Sequence, residues 1–405
     1  MHALRIARPL LSRPLLSRTM ATNQTFYNMN TTAKPGETIK GEILDHAVNL
    51  KEARPGDQIE VPYELTVADA FRESWHSAFY CHDRINTSTP FARKLGLQDQ
   101  VLPFSLMLFL TGSMSHADAA KVQVGFRNAI YHWPGFAGDT FTKKFTVKSV
   151  RNTSDGEHSV ITFNCELINQ RDRVVMSTDK TMLFPFASSN PSTVEAPATV
   201  PKESQLEQHL MSKAEVLGEL GSHSLRPLRP NQLIIHTMNR ALSLSQSQGL
   251  SSLARLTHER HFDSLKFDPS TEMFVPGGLV LGLAMSSSAR DLHEILHEEL
   301  LSVNYTNHVH PGDNVMSLTY VKKMDENISG DLESLIVSTI AVKNVSKDDI
   351  EGLSLPVELF MDDKITTKKV EELVKDKCPI LAGKIVLQAE RKIVRQASRA
   401  EAFLL

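Results

Sequence analysis

The chain is short of cysteine, of aromatic residues and of excess charge of either sign. Its 405 residues hold three cysteines, Cys81, Cys165 and Cys378, far apart and with no Cys-x-x-Cys pair. That excludes a disulfide scaffold and a thiolate zinc site and suits a reducing compartment. The formal net charge of −3 argues against nucleic acid held by bulk charge. No stretch of ~18 apolar residues occurs, so no membrane span is expected. Gly-x-Gly-x-x-Gly, Gly-x-Ser-x-Gly and Walker loops are all missing, and with them the signs of a dinucleotide cofactor, a hydrolase elbow and a nucleotide cradle. What remains, 41% hydrophobic and 22% charged, is a globular composition with enough apolar mass for a core.

No acidic residue precedes Glu37, while Arg5, Arg8, Arg13 and Arg18 alternate with leucines and serines. A basic, acid-free start of this kind reads as a mitochondrial transit peptide over residues 1–22, with Met20 as a second start. Residues 187–205, rich in Ser, Pro, Thr and Ala, read as a linker. They separate residues 45–186 from residues 206–350. Residues 351–405 mix basic and apolar residues at helical spacing and are expected to form a helical extension.

The two blocks look like copies. Pro103 to Ala117 precedes Tyr131 to Val147 in the first, and Pro276 to Leu292 precedes Tyr305 to Val321 in the second. Tyr131–Gly138–Asp139 and Tyr305–Gly312–Asp313 keep one internal spacing, and both pairs of segments recur at nearly one offset, the mark of duplication. The first segment of each copy is apolar on every side, which predicts a helix buried all round. Alternating segments at 158–170, 174–184 and 334–345 predict antiparallel strands. The fold class is therefore α+β: two antiparallel sheets, each wrapped round a buried helix and paired edge to edge.

That unit resembles the hotdog fold, and Ser88-Thr-Pro-Phe-Ala-Arg-Lys-Leu-Gly-Leu97, Arg260-His-Phe-Asp263, Pro276-Gly-Gly278 and the Gly-Asp turns are similar to segments of the MaoC-like double-hotdog dehydratases, within them the mesaconyl-CoA hydratase (β-methylmalyl-CoA dehydratase) kind. The resemblance covers about residues 45–345. It implies reversible hydration of a 2-enoyl-CoA, an acyl-CoA thioester as the partner, and no cofactor or metal beyond the CoA of the substrate. Hydration needs a base for water, an acid for the α-carbon and donors for the enolate oxygen. The family carries an Asp-x-Asn-Pro-x-His segment. Here His261 falls on the His position, with Asp263 expected to orient it, and Gly277 and Gly278 on the turn that holds the enolate oxygen. The Asp position is Leu256. In the first copy the two positions are Cys81 and Asn86, so that half is expected to bind rather than react. His258 reads as a solvated neighbour. Arg290, Lys322 and Lys323 are candidates for the CoA phosphates.

His293-Glu-Ile-Leu-His297 is a literal His-Glu-x-x-His, a zinc pattern when it lies on a helix, but no third ligand follows at a recognisable distance. It reads instead as the polar end of a helix. His308 and His310 share a face if their segment is a strand and with His297 would form a second zinc grouping. Trp75 and Trp133 read as packing residues. The departures at Leu256, Cys81 and Asn86 keep a second reading open, a non-catalytic acyl-CoA-binding or scaffold protein on the same frame, and a thioesterase is the third. A homodimer is expected only if the doubled unit does not already replace the pairing of single hotdogs.

Overall fold

The computed structural model describes residues 35–398 except 45–47, 62, 114–118, 193, 198–199, 225, 330 and 362–366. The basic leader of residues 1–22 therefore lies outside the described residues. No helix among the described residues is long and apolar enough to cross a membrane.

Both copies fold as expected. The first contains β1 (Gln58–Glu60), β2 (Leu65–Thr66), a central helix (Phe104–Gly112), then β3 (Val122–Tyr131), β4 (Thr140–Asn152), β5 (Ser159–Asn169) and β6 (Val174–Phe184). The second contains β7 (Leu233–Ile235), a central helix (Gly277–Ala289), β8 (Ile295–Tyr305), β9 (Val315–Ser329), β10 (Leu332–Lys343) and β11 (Ile385–Gln396). Ten of the strands run in the order β1-β4-β5-β6-β3-β8-β11-β10-β9-β7, and β2 pairs with β4. The halves join where β3 meets β8 antiparallel, Gly125 opposite Asn304 and Ile130 opposite Glu299.

The duplication extends to single hydrogen bonds. In the first copy Phe136 N donates to Asp139 Oδ2 at 2.9 Å, and in the second His310 N donates to Asp313 Oδ2 at 2.8 Å. Gly138 and Gly312 complete these turns at φ +94° and +92°, a region glycine enters without strain. The central helices bury nearly every side chain, because each has the other helix on one side and a curved sheet on the rest. They touch where Gly278 faces Phe109. A Cβ at Gly278 would lie 2.6 Å from the Phe109 ring, so that glycine is a packing requirement.

The expected C-terminal division is wrong. Residues 385–396 form neither a surface helix nor an extension beyond a domain ending at 350. They are β11, paired with β10 on one side and β8 on the other, the counterpart of β6. The second copy therefore runs to about residue 396. Residues 344–384, with helices Glu358–Met361 and Thr367–Lys377, are an excursion between β10 and β11. Arg391, Lys392 and Arg395 give this stretch a helix-like pattern. Inside the sheet those charges are met across the strands and, for Lys392, by the helix Gln205–Met211. Arg391 Nη1 donates to Glu298 Oε1 at 2.9 Å, Lys392 Nζ to Glu207 Oε1 at 2.7 Å, and Arg395 Nε to Glu333 Oε1 at 2.5 Å.

Candidate active site

The central helices run side by side, so the N-terminus of the second meets the C-terminus of the first. A cavity of about 360 Å³ opens there. Its lining includes Gly112 and Ser113 from the end of the first helix, Pro276, Gly277 and Gly278 from the start of the second, and Leu256, His258, Arg260 and His261 from the preceding turn. The structure thus brings His261, Gly277 and Gly278 into one cavity.

His261 ends a 3₁₀ turn, Glu259–His261, whose N-cap is His258. Its Nδ1 lies 2.8 Å from Phe274 O. A carbonyl only accepts, so Nδ1 carries the proton and Nε2 is left as an acceptor. No group among the described residues bonds Nε2. Burial holds the imidazole down at about 4, so the ring is neutral near pH 7 and able to take a proton. Pro276 caps the second helix, and its carbonyl accepts from Leu279 N at 2.9 Å. The Gly277 and Gly278 amides precede that first bond and are the free donors of the helix start.

Three expectations fail here. Asp263 does not orient His261: its Oδ1 accepts from Leu265 N at 2.9 Å and Lys266 N at 3.2 Å, closing its own turn, and Phe274 O does the orienting. His258 is not a solvated neighbour. Its Nε2 is 2.8 Å from Ala120 O and its Nδ1 accepts from Arg260 N at 3.2 Å, so both nitrogens are committed. Arg290, Lys322 and Lys323 lie outside the cavity. Arg290 sits at the far end of the second helix, about 20 Å away at 1.5 Å per residue, and donates to Thr237 Oγ1 at 2.7 Å. Lys322 pairs with Glu390 at 3.0 Å and Lys323 with Asp325 at 3.6 Å. The cations that do line the cavity are Lys121, Lys180 and Arg260. Arg260 is stacked on Phe267 and Phe274, 4.7 and 5.0 Å from their centroids. Among the described residues no Asp or Glu lines the cavity, and Leu256 occupies the wall at the family's Asp position.

The first copy's equivalent lies at the other end of the helix pair and is much smaller, about 70 Å³. Phe104 and Ser105 stand where Gly277 and Gly278 stand in the second, and Cys81 and Asn86 line it as the spacing requires. Unlike the open cavity it holds two acids, Asp83 and Glu298. Asp83 Oδ1 accepts from Ile295 N at 2.9 Å, and burial pushes its carboxyl well up. This half has neither the glycine turn nor the room for an acyl thioester.

The His-Glu-x-x-His segment is not helical. His293 and Glu294 lie in a loop and His297 in β8. His293 Nε2 bonds Glu294 at 2.8 Å, while His297 Nε2 is 3.0 Å from Ser204 Oγ and 3.2 Å from Tyr131 O. His308 and His310 lie in the loop after β8, with His308 stacked on Phe274 at 3.9 Å; they do not join His297. Trp75 is fully buried and Trp133 is covered by Arg173, packing roles as expected.

His297 titrates with a consequence for stability. Burial lowers its pKa to about 4, against about 6.5 unfolded. Between those values the unfolded chain binds more protons, so this stability is present above about pH 6.5 and lost as pH falls toward 4. His297→Gln removes the titration. In urea unfolding, wild type is expected to lose about 2 kcal/mol more than the variant between pH 6.5 and 5; equal losses would refute the assignment.

No family model matches the chain. Mesaconyl-CoA hydratase of Cereibacter sphaeroides is 22% identical over 314 residues, 73% of this chain and 89% of that protein. Beta-methylmalyl-CoA dehydratase of Chloroflexus aurantiacus is 25% identical over 312 residues, 73% of this chain and 88% of that one. Among solved structures, a MaoC domain protein dehydratase from Chloroflexus aurantiacus superposes with a TM-score of 0.68 at 17% identity, covering 88% of this chain and 100% of that chain. A conserved Mycobacterium tuberculosis protein with a double hotdog fold gives 0.62 at 13% identity, with coverage of 88% and 100%. The chain thus has the double-hotdog fold of the MaoC-like dehydratases and resembles mesaconyl-CoA hydratase in sequence over most of its length.

Proposed function

We propose that this protein is a hydro-lyase that adds water reversibly to a short-chain 2-enoyl-CoA, or removes it from the 3-hydroxyacyl-CoA, with the CoA of the substrate and no other cofactor. The observation that carries the reading is one cavity of about 360 Å³ holding His261 Nε2, unbonded among the described residues, and the open helix start at Gly277 and Gly278. In the hydration direction His261 Nε2 takes a proton from water as the oxygen attacks the β-carbon. The π electrons move onto the thioester oxygen, and the Gly277 and Gly278 amides and the helix dipole hold the enolate. The α-carbon then takes a proton. Lys121 and Arg260 are the cavity's candidates for the CoA phosphates, in place of Arg290, Lys322 and Lys323. On its basic leader the protein is assigned to the mitochondrion.

The test is ultraviolet absorbance of the enoyl-thioester band with crotonyl-CoA and mesaconyl-CoA and the protein lacking residues 1–22. Bleaching of the band without release of free thiol is expected. Release of free CoA would mark a thioesterase. A second reading, a non-catalytic acyl-CoA-binding protein, is favoured by one observation, Leu256 at the family's Asp position in a cavity without a described carboxylate. It would be established by thioester binding in calorimetry with no bleaching.

A further inference from the structure

The hydratase reading leaves the α-carbon's proton without a source, and the cavity wall carries a buried amine that can supply it. Lys180 projects from β6 on the inward face, is 5% exposed, and lines the cavity together with Gly112 and His261. Its Nζ donates to Gly112 O at 2.7 Å, at the end of the first central helix. A second buried lysine, Lys143 from β4, donates to Ser113 O at 2.9 Å. Lys143 therefore already serves that helix end. Lys180 is the one of the two on the cavity wall.

Comparison of the two copies sharpens this. On β6, Lys180 lies opposite Phe126 of β3; on β11, Arg391 lies opposite Leu300 of β8. Each cation reaches the end of a central helix, Lys180 at Gly112 and Arg391 at Ser288. In the smaller pocket the position holds an arginine, which does not titrate, paired with Glu298 at 2.9 Å. In the open cavity it holds a lysine, and no carboxylate among the described residues lines the wall. One position of the fold thus carries a fixed ion pair on one side and, on the other, a titratable amine with no carboxylate partner among the described residues.

We propose that Lys180 is the acid of the reaction, delivering its proton to the α-carbon after His261 has taken one from water. The proposal rests on the hydratase reading. The step balances: water's oxygen bonds the β-carbon and its proton goes to His261 Nε2. The enolate collapses as an Nζ–H bond of Lys180 breaks and a C–H bond forms. The imidazolium proton then returns to the amine through solvent. The groups facing the ammonium are Lys143 on β4, Cys165 on β5, and His258, Arg260 and His261 on the turn, with Lys121 before β3. Burial lowers the Lys180 pKa to about 8, so a proton is present at neutral pH and is given up readily.

The experiment measures kcat and KM of the protein lacking residues 1–22 for crotonyl-CoA against pH, in wild type, Lys180→Arg, Lys180→Met and Asp118→Asn. Asp118 lies outside the described residues, in sequence between the lining residues Ser113 and Ala120. Wild-type kcat is expected to fall as pH rises through about 8. Lys180→Arg keeps the cation and is expected to lower kcat about 10²-fold with little change in KM and to lose that alkaline limb. Undiminished kcat in Lys180→Arg, with the limb retained, overturns the proposal and leaves Lys180 a helix cap. Loss of activity in Asp118→Asn with Lys180→Arg active also overturns it, in favour of a carboxylate. An inactive wild type overturns the hydratase reading itself. Should both lysine variants fail to fold by circular dichroism, the wild-type profile decides: a limb near pH 8 supports the proposal and a flat profile overturns it.

Discussion

His261→Ala is expected to slow hydration of crotonyl-CoA by about 10²–10⁴-fold, the usual worth of a positioned acid or base, while leaving KM and the fold nearly unchanged. The fold should survive because the only side-chain hydrogen bond given up is the one to Phe274 O, at the edge of the cavity rather than in the core. The wild-type rate has a pH signature of its own. His261 must be neutral to accept a proton, and burial sets its pKa at about 4. kcat/KM should therefore hold as pH falls below the ordinary histidine range and drop only through about 4. An acid limb near 6.5 would mean that the ring is solvated and that the cavity does not dehydrate it. An undiminished rate in His261→Ala would move the chemistry elsewhere, and Asp83 with Glu298 in the smaller pocket would be the groups to examine.

The second large effect is expected on stability. Arg391 and Glu298 are both buried and face each other at 2.9 Å between β11 and β8. Burial raises the Glu298 pKa and Arg391 works against that rise. Arg391→Met leaves the carboxylate without its partner and should cost about 3–5 kcal/mol in chemical unfolding. The double variant Glu298→Leu/Arg391→Met should recover most of that loss, because a buried pair replaced by apolar residues is often neutral. A double variant no more stable than Arg391→Met would show that the arginine acts through Ser288 at the end of the second central helix rather than through its ion pair.

Much of this architecture was legible because it is written twice. The Pro103 and Pro276 segments are apolar on all sides and become the central helices, and the Asp139 and Asp313 turns close with the same bond. β11 was not legible. Its inward positions carry arginine, and a strand whose charges are neutralised by partners distant in sequence has the same composition as an amphipathic helix. The site was half legible. His261, Gly277 and Gly278 follow from the resemblance and meet in one cavity. Asp263 failed because closeness in sequence to His261 says nothing about where its oxygens point within a tight turn. Arg290, Lys322 and Lys323 failed because surface charge finds local partners. Lys180 was missed, although its signal is present. In Thr178, Lys180, Met182 and Phe184 a lysine stands at the inward parity of the strand, where burial makes a charge costly unless it has a task.

The position of β11 also bears on how the protein is made. It fills the gap between β8 and β10, yet it follows both on the chain, after the excursion of residues 344–384. During synthesis all the strands of the first copy are made once β6 emerges, and only its β3 edge and central helix wait for the second copy. The second copy must wait for its last strand, holding the facing edges of β8 and β10 unpaired in the meantime. Open edges of this kind are the surfaces through which chains stick to one another. A nascent chain stalled before residue 385 is therefore a client for chaperones, and truncation there should yield aggregates rather than a smaller folded protein.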